Sequence, residues 1–388
     1  MEARAVELSV VMPCLNEAET VGACVRSARQ ALESHGIAGE ILVADNGSTD
    51  ASAAVAAQEG ARVIAVAERG YGSALMGAIA AARGRYVFMA DADGSYDFRE
   101  IPRFLVNLRE GNELVQGCRL PSGGGTVLPG AMPPLHRWLG NPIFSWLAKQ
   151  WFRAPIHDIH CGMRAFSRDL YERLDLRCTG MEFASEMVIK ASLHGARIAE
   201  LPITLSPDGR TLRRPHLRTF RDGWRHLRFF LLYTPRWLFL VPGALLVLLG
   251  LVGYAIALPG LRIGGVQFDV HTLLFSSLFI VGGYQSILFA ALTRIFALTQ
   301  DLVPEDPRLT RLFERVNLER GLLVGAAATI TGITLLLMAV NAWRIRNFGD
   351  LDYSRTMRQA IPGTTLTLLG VQTILSSFFF SILGLKRR

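Results

Sequence analysis

The chain has 388 residues, of which 50% are hydrophobic, with a formal net charge of +8 and a pI of about 9.6. That length suits two domains, and a mean hydropathy of +0.28 excludes a chain that is soluble throughout. Five scattered cysteines, Cys14, Cys24, Cys118, Cys161 and Cys178, with no C-x-x-C pair among them, disfavour a zinc site and point to reduced thiols.

Met1–Ser9 holds charges and no long apolar core, so no signal peptide is expected and the first third should stay on the side where it is made. Leu8–Met12 is an apolar run ended by Pro13, a first strand. Asn16 resembles a helix N-cap, with Glu19 placed as in a capping box, so the pattern predicts an amphipathic helix over Glu17–Ser34. A second strand, Glu40–Ala44, runs into the polar turn Asp45–Asp50. Helix Ala51–Glu59 and strand Arg62–Val66 follow, and then Glu68–Ser73 opens an alanine-rich helix to Ala82. Strand Tyr86–Ala90 drives straight into Asp91-Ala92-Asp93.

This βαβα alternation predicts a doubly wound parallel sheet whose polar turns all fall at one edge. Ligands bind off the carboxyl ends of such strands. Two carboxylates there suit a hard divalent cation, and such a cation suits a diphosphate. A dinucleotide fingerprint is disfavoured because Leu75 stands where the third glycine belongs, and no G-K-[ST] loop exists.

From Glu113 the pattern is mixed. Glu113–Cys118 reads as a strand ending at Arg119, and Pro121–Pro134 as a mobile loop. Leu135–Phe152 is rich in tryptophan with basic residues at its ends, which fits either an interfacial membrane segment or a buried helix. Asp158–Arg164 and a helix opened by Gly180–Phe183 and carrying Glu186 come next, then a last strand, Ile198–Leu205. His136, His157 and His160 form no recognisable metal triad.

Past the polar stretch Pro207–Arg214, apolar Leu217, Phe220, Trp224, Leu227 and Leu231 recur at helical spacing, with Arg218, Arg221, Arg225 and Arg228 alongside. That is a basic amphipathic helix suited to a headgroup surface rather than to nucleic acid. Four apolar spans follow, Trp237–Leu258, Leu273–Leu298, Leu322–Trp343 and Gly363–Leu385, each near the roughly 20 residues a bilayer crossing needs. A second amphipathic stretch, Glu305–Arg320, separates the middle two. The basic run before the first span, the arginines Arg308, Arg311, Arg315 and Arg320 between the second and third, and Lys386–Arg388 fall on one side, which the positive-inside rule makes cytoplasmic for both termini. The expected division is 1–214 catalytic, 215–236 juxtamembrane helix and 237–388 four-helix transmembrane, in a multi-pass protein of the cell (inner) membrane.

The motifs together are familiar. V-V-M-P-C-L-N-E at Val10–Glu17, D-N-G-S-T-D at Asp45–Asp50, R-G-Y-G-S-A at Arg69–Ala74, D-A-D at Asp91–Asp93 and C-G-M-R-A-F at Cys161–Phe166 resemble inverting family 2 glycosyltransferases of the α/β GT-A fold. The layout of the later part is similar to the polyprenyl-phosphate branch, which includes dolichyl-phosphate mannose and glucose synthases. The resemblance implies a hexose passed from a nucleotide sugar, of the UDP-glucose or GDP-mannose type, to a polyprenyl (undecaprenyl-type) phosphate, and it leaves room for a homo-oligomer. It implies that Pro13, Asn16, Glu17, Asp45, Gly47, Ser48, Arg69, Gly72 and Ala92 line the donor. Asp91 and Asp93 would hold Mg2+ or Mn2+. Arg119, Arg137, Arg164 and Arg210 are candidates for the acceptor phosphate, and Asp158, Glu182 and Arg210 join Asp91 and Asp93 as catalytic candidates. Gly94-Ser95 stands where mannosyl-transferring relatives often carry leucine-glutamine, and Arg69 where many carry lysine or asparagine. Processive polysaccharide synthases carry Q-x-x-R-W, and here Pro134 and Tyr233 occupy the glutamine positions. A flippase or scaffold with a decayed transferase domain is the non-enzymatic alternative.

Overall fold

A computed structural model describes residues 6–210, 219–299 and 318–384, which fall into two units, Met1–Phe230 and Leu231–Arg388. The first unit opens with β1 (Leu8–Cys14), α1 (Val21–Ser34), β2 (Gly39–Asp45), α2 (Ser52–Gln58), β3 (Arg62–Ala65), α3 (Tyr71–Ala81), β4 (Tyr86–Met89) and α4 (Ile101–Arg109). It continues with β5 (Leu114–Cys118), β6 (Thr126–Val127), α5 (Asn141–Phe152), β7 (Arg164–Ser167), α6 (Arg168–Leu174), α7 (Phe183–Leu193), β8 (Ile198–Pro202), β9 (Thr204–Leu205) and α8 (Thr219–Tyr233).

Seven strands form one sheet in the order β3-β2-β1-β4-β7-β5-β8. The central strands are near-continuous apolar runs, with Val10, Val11, Met12, Val43, Phe88 and Met89 fully buried, as strands covered on both faces require. Phe88 meets Phe104 of α4 edge-on at 5.4 Å, and each such buried side chain contributes about 1.5–3 kcal/mol.

The sheet is not wholly parallel. β7 runs antiparallel to both β4 and β5, so the predicted doubly wound parallel sheet is corrected to a mixed one. Asn16 is not a helix cap. It lies in the left-handed region at φ 61°, and α1 starts only at Val21 after Thr20. The Pro121–Pro134 stretch carries β6, which pairs in parallel with β9, so part of it is held in a small second sheet.

Helix α5 follows a wide turn, His136–Gly140. Asn141, Ser145, Ala148 and Phe152 face inward, while Leu135, Trp138, Leu139, Ile143 and Trp146 stay exposed, Trp138 at 69%. In α8 the inward face is His226, Phe229 and Phe230. The stripe predicted to be its apolar side leaves Trp224 59% exposed, because Phe230 packs on Phe144 and Phe152 of α5 instead. Leu217, Arg218, Arg308, Arg311, Arg315, most of the Glu305–Arg320 stretch and Lys386–Arg388 lie outside the described residues.

Among the described residues, the second unit has four helices long and apolar enough to cross a membrane, Arg236–Ala257, Val270–Leu298, Leu318–Ile345 and Tyr353–Leu383. Their regular parts are α9 (Val241–Ala257), α10 (Val270–Thr299), α11 (Leu318–Ile345) and α12 (Tyr353–Gly384). α12 starts ten residues before the predicted Gly363, with Pro362 inside it. Between α9 and α10, β10 (Arg262–Ile263) and β11 (Val266–Gln267) form a hairpin. Its Gly264-Gly265 turn has both φ values positive, the geometry of a tight two-residue connection.

Both helix pairs close on small residues spaced by seven. Gly243, Gly250 and Ala257 are buried on α9, as are Gly325, Gly332 and Ala339 on α11. A Cβ on Gly243 would stand 2.7 Å from the Gly283 carbonyl oxygen, and one on Gly332 would stand 2.6 Å from that of Gly363. Such close backbone approach is how apolar helices associate without a hydrophobic driving force.

Candidate active site

The carboxyl ends of β1, β2, β3 and β4 deliver, in turn, Asn16-Glu17, Asp45–Asp50, Glu68–Gly72 and Asp91–Asp93 to one edge of the sheet. The strained backbone of Asn16 is held by the neighbouring turn. Its N–H donates to Ser48 Oγ at 2.9 Å, and its Oδ1 accepts from Thr49 N at 2.8 Å. Asp45 Oδ1 accepts from Ser48 N at 3.1 Å, and Gly47 supplies the left-handed conformation the turn needs at φ 87°. Arg69 lies against Gly47, its Nη2 3.5 Å from where a Cβ would be. Buried Asn46, the second residue of the D-N-G-S-T-D motif, binds three strand-end groups: its Nδ2 donates to Val66 O and Glu68 O, and its Oδ1 accepts from Gly70 N.

The D-A-D turn is braced from several sides. Thr20 Oγ1 donates to Ala92 O at 2.7 Å, and Gly209 N donates to Asp93 O at 2.8 Å. Asp93 Oδ1 accepts from Ser95 N and Oγ, and Asp91 Oδ1 accepts from Tyr71 Oη at 2.9 Å. Burial, and then the charge of Asp93, push the Asp91 carboxyl up to about 6. Arg210 Nε donates to both Glu17 oxygens at 3.0 and 2.9 Å, and its Nη2 is 3.6 Å from Asp93 Oδ2. Two carboxylates fit a hard cation that takes its remaining ligands from water and substrate phosphates. Among the described residues no cluster of three or more His, Cys, Asp or Glu could hold a metal.

Around the loop before β7, three of the predicted site residues are held by neighbouring groups. Asp158 is fully buried and grips Arg119, with Nε to Oδ2 at 2.7 Å and Nη2 to Oδ1 at 2.9 Å. Such a two-pronged pair is a strong charge-assisted contact. Arg164 is fully buried, donating to Ala184 O and Cys161 O, each at 2.6 Å, so it anchors the loop. Glu200 completes the frame by accepting from His157 N and Asp158 N. Arg137 lies over the Trp138 ring at 5.0 Å on the turn before α5.

A second clamp holds the R-G-Y-G turn. Buried Glu186 accepts from Arg177 N, from Cys178 N at 2.8 Å and from Lys190 at 2.9 Å. The segment so fixed packs its carbonyls on the glycines: a Cβ on Gly72 would stand 2.1 Å from Cys178 O, and one on Gly70 2.2 Å from Thr179 O. Glu182, just before α7, has a buried Oε2 with no hydrogen-bond partner. Arg69 and Gly72 of this turn were legible as site residues; Tyr71, Tyr96 and Asn46 carried no separate signal.

The strand-end crevice and its acidic pair, on a mixed sheet of this order, define a Rossmann-like GT-A glycosyltransferase domain. Residues 9–175 match the glycosyl transferase family 2 description, and residues 291–384 match the glycosyltransferase family 2 C-terminal transmembrane region. The chain belongs to glycosyltransferase family 2, an inverting family. It is 38% identical to the low-salt glycan biosynthesis hexosyltransferase Agl6 of Haloferax volcanii, over 97% of this chain and 89% of that protein. A dolichyl-phosphate hexose transferase of the same organism is 33% identical over 51% of this chain and 82% of its own length. An undecaprenyl-phosphate 4-deoxy-4-formamido-L-arabinose transferase of Salmonella paratyphi B is 31% identical over 51% of this chain and 59% of its own. The protein is thus a multi-pass membrane glycosyltransferase.

Proposed function

We propose that this enzyme transfers a hexose from a nucleotide sugar to a polyprenyl phosphate, with inversion, at the cytoplasmic face of the membrane. The observation that carries this reading is the Asp91–Asp93 pair with Glu17 and Arg210 beside it, in a chain with four membrane-length helices. The names of its polyprenyl-phosphate relatives support the acceptor class. The exposed tryptophan face of α5 and the arginines of α8 support an interfacial setting.

Mg2+ or Mn2+ at Asp91 and Asp93 would offset the charge growing on the departing diphosphate. The remaining work falls to the chain. The Asn16–Ser48 lock and the Asp45 turn shape the nucleotide end of the crevice. Arg210 brings a guanidinium that suits phosphate oxygens beside Asp93. An acceptor phosphate oxygen attacks the anomeric carbon in line as the bond to the diphosphate oxygen breaks, and the electron pair leaves with the nucleotide. A phosphate monoester with a second pKa near ~6 is largely dianionic at neutral pH, so no side chain has to remove a proton. This accords with Asp158 being committed to Arg119.

The test is the full-length protein in nanodiscs with labelled UDP- or GDP-hexose and undecaprenyl phosphate. One sugar per lipid is expected, and Asp93→Ala should reduce transfer by a thousandfold or more, on the scale of losing a main electrostatic stabiliser. Long polymer would instead favour a processive synthase, and no lipid product with any donor would remove the reading.

A further inference from the structure

Tyr71 has no part in the reaction as derived so far, yet its hydroxyl is the group that holds Asp91. It is the first residue of α3, between two glycines whose neighbours leave the backbone no latitude: Gly70, at φ 146°, against Thr179 O, and Gly72 against Cys178 O. Gly70 N is tied in addition to Asn46 Oδ1 at 2.8 Å. The phenol therefore projects from a fixed point, and it donates to Asp91 Oδ1 at 2.9 Å. Burial, and then the charge of Asp91, hold that phenol protonated, well above its ordinary pKa.

The other Asp91 oxygen is confined as well. A Cβ on Gly162 would stand 2.8 Å from Asp91 Oδ2 and 3.1 Å from Tyr96 Oη. Gly162 is itself pinned, its N–H donating to Tyr96 Oη at 2.8 Å. One oxygen is thus gripped by a hydroxyl, and the other sits in a space that only a glycine leaves open. Asp93 takes its orientation separately, from Ser95.

We propose that Tyr71 is a positioning residue for the cation–diphosphate subsite: it fixes the rotation of the Asp91 carboxylate, with Gly162 keeping the second oxygen's side clear. This rests on the reading of Asp91 and Asp93 as the cation pair. A carboxylate already held in its working orientation loses less freedom when the cation binds.

The test is calorimetric titration of Mn2+ into the full-length protein in nanodiscs with saturating UDP, which reads binding rather than turnover. Tyr71→Phe keeps the ring and removes the donor. Its Mn2+ dissociation constant should rise about tenfold, the scale of a lost hydrogen bond to a charged group. UDP affinity without cation should stay as in the wild type. Tyr171→Phe, whose ring stacks on Phe166 away from the acidic pair, should bind Mn2+ normally. Gly162→Ala should weaken Mn2+ by a similar factor and answers the question if Tyr71→Phe does not fold. Mn2+ binding by Tyr71→Phe within twofold of wild type overturns the inference and leaves the proposed function standing. A wild-type chain that binds no Mn2+ overturns both.

Discussion

Asp91 pairs an electrostatic cost with a chemical use. Its carboxyl is pushed up to about 6, first by burial and then by Asp93, against about 3.9 for an unperturbed aspartate. The ionised form is therefore penalised in the folded state. That penalty is absent below about pH 4, grows between 4 and 6, and is complete above 6. Asp91→Asn keeps an acceptor for Tyr71 and removes the charge. In cation-free buffer it should stabilise the protein by up to about 3 kcal/mol at pH 7.5 and by nothing at pH 4, while transfer is lost. Melting curves at the two pH values check this, and an equal gain at both would count against it. The acidic pair was legible because two carboxylates directly after an apolar run have few structural uses. The fates of Asn16, Arg119 and Arg164 were not legible. An asparagine three residues before a glutamate reads as a cap whether or not its φ is 61°. Whether an arginine reaches solvent or is sealed against Ala184 O and Cys161 O depends on contacts 20 and 3 residues away in sequence.

Among the elements, α5 is the one whose sequence allowed two readings, an interfacial segment or a buried helix, and the structure packs only one of its sides. Phe144 and Phe152 pack on Phe230, which makes one side core. Trp138 and Trp146 remain 69% and 58% exposed on the other, with Leu139 and Ile143 between them. Amphipathic tryptophan suits a headgroup layer, where its ring is half dry and its N–H wet. Replacing Trp138 and Trp146 together by serine should raise the apparent KM for polyprenyl phosphate several-fold. The KM for the nucleotide sugar should not change. Steady-state kinetics in nanodiscs separates the two, and a change in donor KM alone would contradict the assignment. The strand β7 escaped notice for a different reason. Arg164–Ser167 has four residues, too few to show a period, and its antiparallel direction is set by its pairing with β4 and β5.

For the molecule as a whole, the alternation of apolar runs and amphipathic stretches up to Ala90 made the class of the first unit plain, and four long apolar spans did the same for the second. How the spans associate was hidden, because glycines in a hydrophobic helix look alike until a partner backbone lies against them. Each hairpin closes on its own seam, Gly243 against Gly283 and Gly332 against Gly363. Polar links then join the hairpins, Tyr254 to Thr365, Tyr284 to Thr373 and Asp269 to Arg358. A chain severed between residues 299 and 318 should consequently yield two self-sufficient pieces that find each other in a cell membrane and recover transfer when produced together. Failure of the separately made halves to co-purify would mean that covalent continuity, rather than matched surfaces, keeps this half of the enzyme assembled.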